Sequence, residues 1–85
     1  MTEAEFDVMD ELYFVQSYSY LAEELDMPDE DLVETLKSLW SRGWIKVLID
    51  VDTEEKNDQL DWVKRYKDYY FLATKKGLLK HNTTG

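Results

Sequence analysis

Cysteine is absent from this chain of 85 residues, which excludes disulfides, thiolate nucleophiles and cysteine-bound zinc. Histidine occurs once, as His81 near the C-terminal end, where it is read as a solvated side chain rather than a base or a metal ligand. No Ser-His-Asp order is recognisable, and no glycine-rich loop could cradle a phosphate. Catalysis therefore has no candidate centre, and the chain reads as a non-enzyme without a cofactor. No apolar run approaches the length needed to cross a bilayer. The start, MTEAEFDVMDE, lacks the basic residues and apolar segment of a secretory signal. The expected compartment is the cytoplasm, and no membrane partner is expected.

The most informative absence is one of charge. Residues 1–36 contain twelve acids and no Lys or Arg, whereas residues 37–85 contain seven acids and ten bases. The net charge of −9 thus divides into −12 and +3. Such a protein repels nucleic acid at long range, although a local basic patch can still hold it. The plainest use of the acidic half is a solvated, solubilising face.

What the chain does have is apolar and aromatic mass. A hydrophobic share of 44% with 14% aromatics supports a packed core and argues against global disorder. The length fits a single domain over residues 1–85, with a modest core and residues 82–85 as a frayed tail. There is no internal repeat, low-complexity segment or interdomain linker.

Periodicity orders this mass. Phe6, Met9, Leu12 and Tyr13, flanked by Val8 and Val15, recur at three- and four-residue steps, which predicts a helix from Glu3 to about Gln16. Ser17 and Ser19 interrupt it, and Ser19 is placed to cap a short helix, YLAEEL; Ser17 and Tyr18 could form a minimal strand. Asp26 suits the following turn because Asp tolerates a left-handed backbone. Pro28 suits the first turn of a third helix, whose dipole favours Asp29, Glu30 and Asp31 at its start. That helix buries Leu32, Val33, Leu36, Leu39 and Trp40 and stops at Gly43. Ile45, Val47, Ile49 and Val51 then alternate as in a strand. DTEEKNDQLD is a polar loop, WVKRYKDYYFLA a second alternating strand, and Thr74 caps a final helix, KKGLLKH.

YLAEELDMPDEDLVETLKSLWSRGWI, followed by YYFLATKKG, resembles the winged helix-turn-helix domains of prokaryotic transcriptional regulators, over about Phe6 to Leu79. The resemblance implies an α+β fold with a three-helix core, a two-stranded wing and a short C-terminal helix. It also implies that the N-terminal half of the third helix enters the DNA major groove while the wing touches the backbone. Carried onto this sequence, the groove-facing positions are Asp29, Glu30, Asp31, Glu34, Thr35 and Ser38. Four of these six are acidic, and carboxylates add nothing to phosphate binding. The reading surface therefore departs from the family pattern.

Two functions compete. The leading one is a regulatory protein acting through protein contacts, with Asp29, Glu30, Asp31, Glu34 and Trp62 meeting a partner with a basic surface, or a second copy as a homodimer. The other is a small dimeric DNA-binding regulator using the basic residues interleaved with wing aromatics, namely Lys64, Arg65 and Lys67, together with Lys75 and Lys76. On a strand Lys64 and Arg65 would point to opposite faces, so they would not form one patch. Of Trp40, Trp44 and Trp62, at least two are expected to fill the core. Asp50, Asp52, Glu54 and Asp61 fall at calcium-ligand positions of an EF-hand loop, but Glu55 stands where that loop needs Gly. An acidic wing tip is the better reading, and no metal is expected.

Overall fold

A computed structural model describes residues 1–50, 53–54 and 60–83. The first helix, α1 (Glu3–Glu11), begins at a reciprocal capping box: the Thr2 hydroxyl accepts from the Glu5 amide, and the Glu5 carboxylate accepts from the Thr2 amide. It ends several residues before Gln16, and its buried stripe is Val8, Met9 and Leu12. Phe6 and Tyr13, expected on that stripe, are 37% and 44% exposed. The shorter helix releases Gln16–Ser17 as strand β1, one residue earlier than the minimal strand expected. Ser17, not Ser19, caps α2 (Tyr18–Leu25), accepting from the Tyr20 amide at 3.2 Å. The turn beyond it is left-handed at Asp26, with φ 50°.

Helix α3 (Asp29–Ser41) follows directly on Pro28, which sits just before its first turn. Leu32, Leu36 and Leu39 are fully buried, while Val33 and Trp40 are half-buried at the margin of the core. Leu21 is also fully buried; Leu25 is half-buried. The helix ends in a Schellman arrangement: the Gly43 amide donates to the Trp40 carbonyl and the Trp44 amide to that of Leu39. Gly43 has φ +74°, a conformation that costs glycine least, and it turns the chain into strand β2 (Ile45–Asp50).

Four strands among the described residues form one antiparallel sheet in the order β1-β4-β2-β3, with β3 at Thr53–Glu54 and β4 at Tyr70–Ala73. Ile45 faces Ala73 and Val47 faces Phe71 in the β2–β4 ladder. The register of β2 against β3 shifts between Leu48 and Asp50. Strict alternation along β2 is lost accordingly: Leu48 is buried and Ile49 is 46% exposed. Val51 and most of the polar loop lie outside the described residues.

The strand over WVKRYKDYYFLA is much shorter than expected. Only Tyr70–Ala73 of the run beginning at Trp62 is strand. Residues 62–65 form turns and Tyr66–Asp68 a single 3-10 turn. The cause is local: the Asp61 carboxylate accepts from the Val63 and Lys64 amides, an Asx turn that curls the backbone away from an extended path. The Tyr69 hydroxyl accepts from the Asp61 amide at 3.0 Å and closes this segment on itself. Trp62 is thereby laid inward, its ring 5.9 Å from that of Trp40 and 6.1 Å from that of Phe71.

The last helix, α4 (Lys75–Thr83), starts at Thr74, whose hydroxyl accepts from the Gly77 amide and donates to the Gly43 carbonyl at 2.7 Å. One side chain thus caps α4 and ties it to the end of α3. The helix runs into the stretch expected to fray, as far as Thr83. His81 is buried, not solvated as expected. Its ring stacks on Phe6 with centroids 4.1 Å apart, its Nε2 lies 2.8 Å from Asp10 Oδ1, and its Nδ1 lies 3.0 Å from the Tyr13 hydroxyl. The aromatic residues that α1 leaves out of the main core are therefore covered by α4. None of the described helices is long and apolar enough to cross a membrane.

Candidate protein-interaction site

The first turn of α3 presents Asp29, Glu30 and Asp31 with no cap side chain bonded to its amides, so the carboxylates themselves face the positive end of the helix dipole. Glu30, Asp31 and Glu34 are exposed. Asp29 is engaged at home: its Oδ1 accepts from the Tyr18 hydroxyl at 2.8 Å, and its Oδ2 lies 3.8 Å from Lys67 Nζ. Burial and the bond to Asp29 push the Tyr18 phenol well above its usual range.

The two polar candidates on this face are also held internally. The Thr35 hydroxyl donates to the Asp31 carbonyl, and the Ser38 hydroxyl donates to Glu5 Oε2, both at 2.8 Å. Glu5 was not singled out in the sequence, yet it joins α1 to α3 from a site only 3% exposed. The T-x-x-E spacing of its capping box was legible; the contact with Ser38, 33 positions away, was not. Burial pushes its carboxyl up, but the Thr2 amide, the Ser38 hydroxyl and the Arg42 guanidinium together outweigh it and hold the group below its ordinary 4.5. The ionised form therefore favours folding: this stabilisation is full above about pH 4.5 and is lost as pH falls through the lower native value. Glu5→Gln is expected to cost about 1.5–3 kcal/mol near neutral pH, the range for a hydrogen bond to a charged group. The difference from the unsubstituted protein should shrink in acid, as urea unfolding across pH would record.

Along the later turns of α3 lies a groove of about 400 Å³ lined by Glu34, Lys37, Ser38, Trp40, Ser41 and Trp62. It brings together two of the sequence candidates, Glu34 and Trp62. Trp62, expected to meet a partner, is only 9% exposed, while the half-buried Trp40 lies beside it. The Trp62 indole N–H is buried and meets no acceptor among the described residues. At the rim, Lys37 Nζ stands 3.9 Å from Glu34 Oε1, an exposed contact of small energetic consequence.

The basic candidates do not form one patch. Lys64 sits in the turn after Asp61, Arg65 Nε lies 4.0 Å from Asp68 Oδ2, and Lys67 reaches back to Asp29. Lys75 and Lys76 belong to α4 and line a different groove. The expectation that Lys64 and Arg65 face opposite sides of a strand falls with the strand itself. Asp52 and Glu55 of the calcium-like loop lie outside the described residues, and no metal-holding cluster of His and acids occurs among those described.

Fold and site together define a small α+β domain, with four α-helices and a four-stranded antiparallel sheet among the described residues. No protein-family model matches the sequence, and neither a curated protein nor a solved structure matches the chain.

Proposed function

We propose that this chain is a winged-helix regulatory domain, non-catalytic and cytoplasmic, that contacts a protein partner with a basic surface through the acidic half of α3 and the tryptophan-lined groove beside it. The winged-helix reading is supported by the succession of α1, β1, α2 and α3 and then a sheet in which β1 pairs with β4 and β4 with β2. The observation that carries the functional reading is the sign and setting of the α3 surface. Glu30, Asp31 and Glu34 are exposed, Glu34 at the edge of an aromatic groove, while Ser38, Thr35 and Asp29 are engaged in internal hydrogen bonds. A DNA reader needs cations and free donors there, since counterion release from phosphates supplies much of the affinity. A cationic protein surface meets the opposite condition, and charge matching of this kind sets encounter and selectivity. A second copy of the chain, offering its own basic residues, is one such surface.

The test is a titration against random and selected duplexes at two salt concentrations, beside a titration with a Lys/Arg-rich peptide. Neither duplex should bind appreciably at physiological salt. Asp29→Asn combined with Asp31→Asn should raise non-specific DNA affinity and weaken the peptide. Tight, sequence-selective duplex binding that collapses when Glu34, Thr35 or Ser38 is changed would overturn the proposal in favour of a DNA regulator. Duplex binding lost on Lys64→Ala, Arg65→Ala or Lys67→Ala would instead point to the basic segment after Asp61.

A further inference from the structure

Beyond the C-terminal end of α3 lies a second groove, whose charged lining residues are all cationic. It has a volume of about 510 Å³ and is lined by Trp44, Lys75, Lys76, Leu79 and Lys80. Its floor is apolar, the edge of the buried Trp44 ring and the side chain of Leu79, which is 57% exposed. Arg42 lies close by, its guanidinium carbon 5.0 Å from the centre of the Trp44 ring and its Nη1 3.9 Å from Glu5 Oε2. Lys76 crosses Gly43, where an added Cβ would meet its Nζ and Cδ at 3.8 and 3.9 Å. No ion pair joins Lys75 or Lys76 to a carboxylate among the described residues.

This placement runs against local electrostatics. The first turn of a helix favours acids, and α4 has none there; Lys75 and Lys76 stand at its positive end instead. Like-signed charge beside a helix dipole costs about 0.3–1 kcal/mol per residue when exposed. Lys76 recovers some of this by lying beside Gly43 at the negative end of α3. The dipole and the lysines together make a positive field over an apolar floor, in a protein whose net charge is −9. An incoming anion relieves the repulsion, and an apolar group removes Leu79 and the Trp44 edge from water.

We infer that this groove is a docking site for an acidic peptide segment of a protein partner, anchored by one apolar side chain between Trp44 and Leu79, with flanking carboxylates on Lys75 and Lys76. Its size lies within the range of about 300–1,000 Å³ typical of ligand pockets. Charge complementarity selects the occupant. A long polyanion such as duplex DNA would meet the field of the acidic half, whereas a short segment needs only the local cationic rim. The site is separate from the acidic first turn: α3 is 13 residues long, so its ends stand roughly 20 Å apart at 1.5 Å per residue. One small domain would then offer an acid-seeking and a base-seeking surface, as an adaptor between two partners.

The test uses the whole chain and a fluorescent synthetic peptide in which Asp and Glu flank a single Phe, followed by anisotropy. The peptide should bind, and replacing its Phe by Ser or its acids by Lys should weaken it at least about tenfold, the equivalent of 1.4 kcal/mol. Lys75→Glu with Lys76→Glu should weaken it by a similar factor, and so should Leu79→Ser. These are exposed positions, and thermal melts by circular dichroism verify that each variant folds. Glu30→Lys with Glu34→Lys should leave the acidic peptide unaffected, which separates this site from the one at the start of α3. No binding, equal binding of the Ser peptide, or displacement by random duplex at matched charge would overturn the inference. Sedimentation showing a dimer that dissociates on Lys75→Glu with Lys76→Glu would also overturn it, by assigning the groove to a second copy.

Discussion

Gly77→Ala is expected to destabilise the domain by about 2–3 kcal/mol, the upper part of the range for overpacking. Gly77 lies on the buried side of α4, where a Cβ would collide with the carbonyl oxygen of Trp44 and stand 2.8 Å from its carbonyl carbon and 2.9 Å from Met9 Cε. The Met9 methyl can turn aside, but the Trp44 carbonyl cannot, because it already accepts from the Thr74 amide at 3.0 Å. In an exposed helix the same substitution would help by about 0.8–1.0 kcal/mol, since Ala is the better helix former. The collision outweighs that gain and forces α4 off β2, loosening the cap at Thr74 and the cover over His81. The measurement is the midpoint of urea unfolding at unchanged slope. An Ala variant as stable as the original would mean that α4 does not pack at this distance.

Leu36→Ala is expected to cost about 2–5 kcal/mol, the range for truncating a buried leucine. Leu36 is fully buried in the middle of α3, in the same core cluster as Met9, Leu12, Leu21 and Phe71. No polar group can take its place, and the neighbouring ends of α1 and α2 are pinned by Thr2 and Ser17, so the gap closes only in part. A domain of this size loses about 4–8 °C of melting temperature per kcal/mol, which makes the expected drop on the order of 8–40 °C. Net stabilities of small domains are about 5–15 kcal/mol, so this one side chain decides a large part of the total. A melting temperature unchanged by the substitution would remove the central place given to α3.

Much of the backbone course was legible in the sequence because its causes are local. The three-and-four spacing of Leu32, Leu36 and Leu39 places α3, and Gly43 ends it because a positive φ there costs least without a side chain. Asp26 and Thr74 likewise act within a few positions of themselves, through a left-handed turn and a hydroxyl cap. Where expectations missed, a tertiary or irregular contact overrode a simple period. The alternation in WVKRYKDYYFLA suggested a long strand, but the Asx turn at Asp61 and the inward packing of Trp62 took its first eight residues out of the sheet. Val8, set on the flank of the α1 stripe, became core, whereas Phe6 lies at the margin, 37% exposed, with His81 of α4 stacked on one face.

The sequence by itself determined the helices, the break at Gly43 and the acidity of the α3 surface, since propensity, spacing and charge need no distant partner. The sign of the charge on Glu30, Asp31 and Glu34 is fixed wherever the chain folds. Only the tertiary structure decided what those charges adjoin. It buried His81 between Phe6 and Tyr13, joined Glu5 to Ser38, placed Glu34 beside Trp62, and separated Lys67 from Lys75 and Lys76. Each of these contacts links positions far apart in the chain, so no local period could encode them. They exist because burying apolar rings brings such positions together, and their buried polar groups then bond to whichever neighbours that packing supplies.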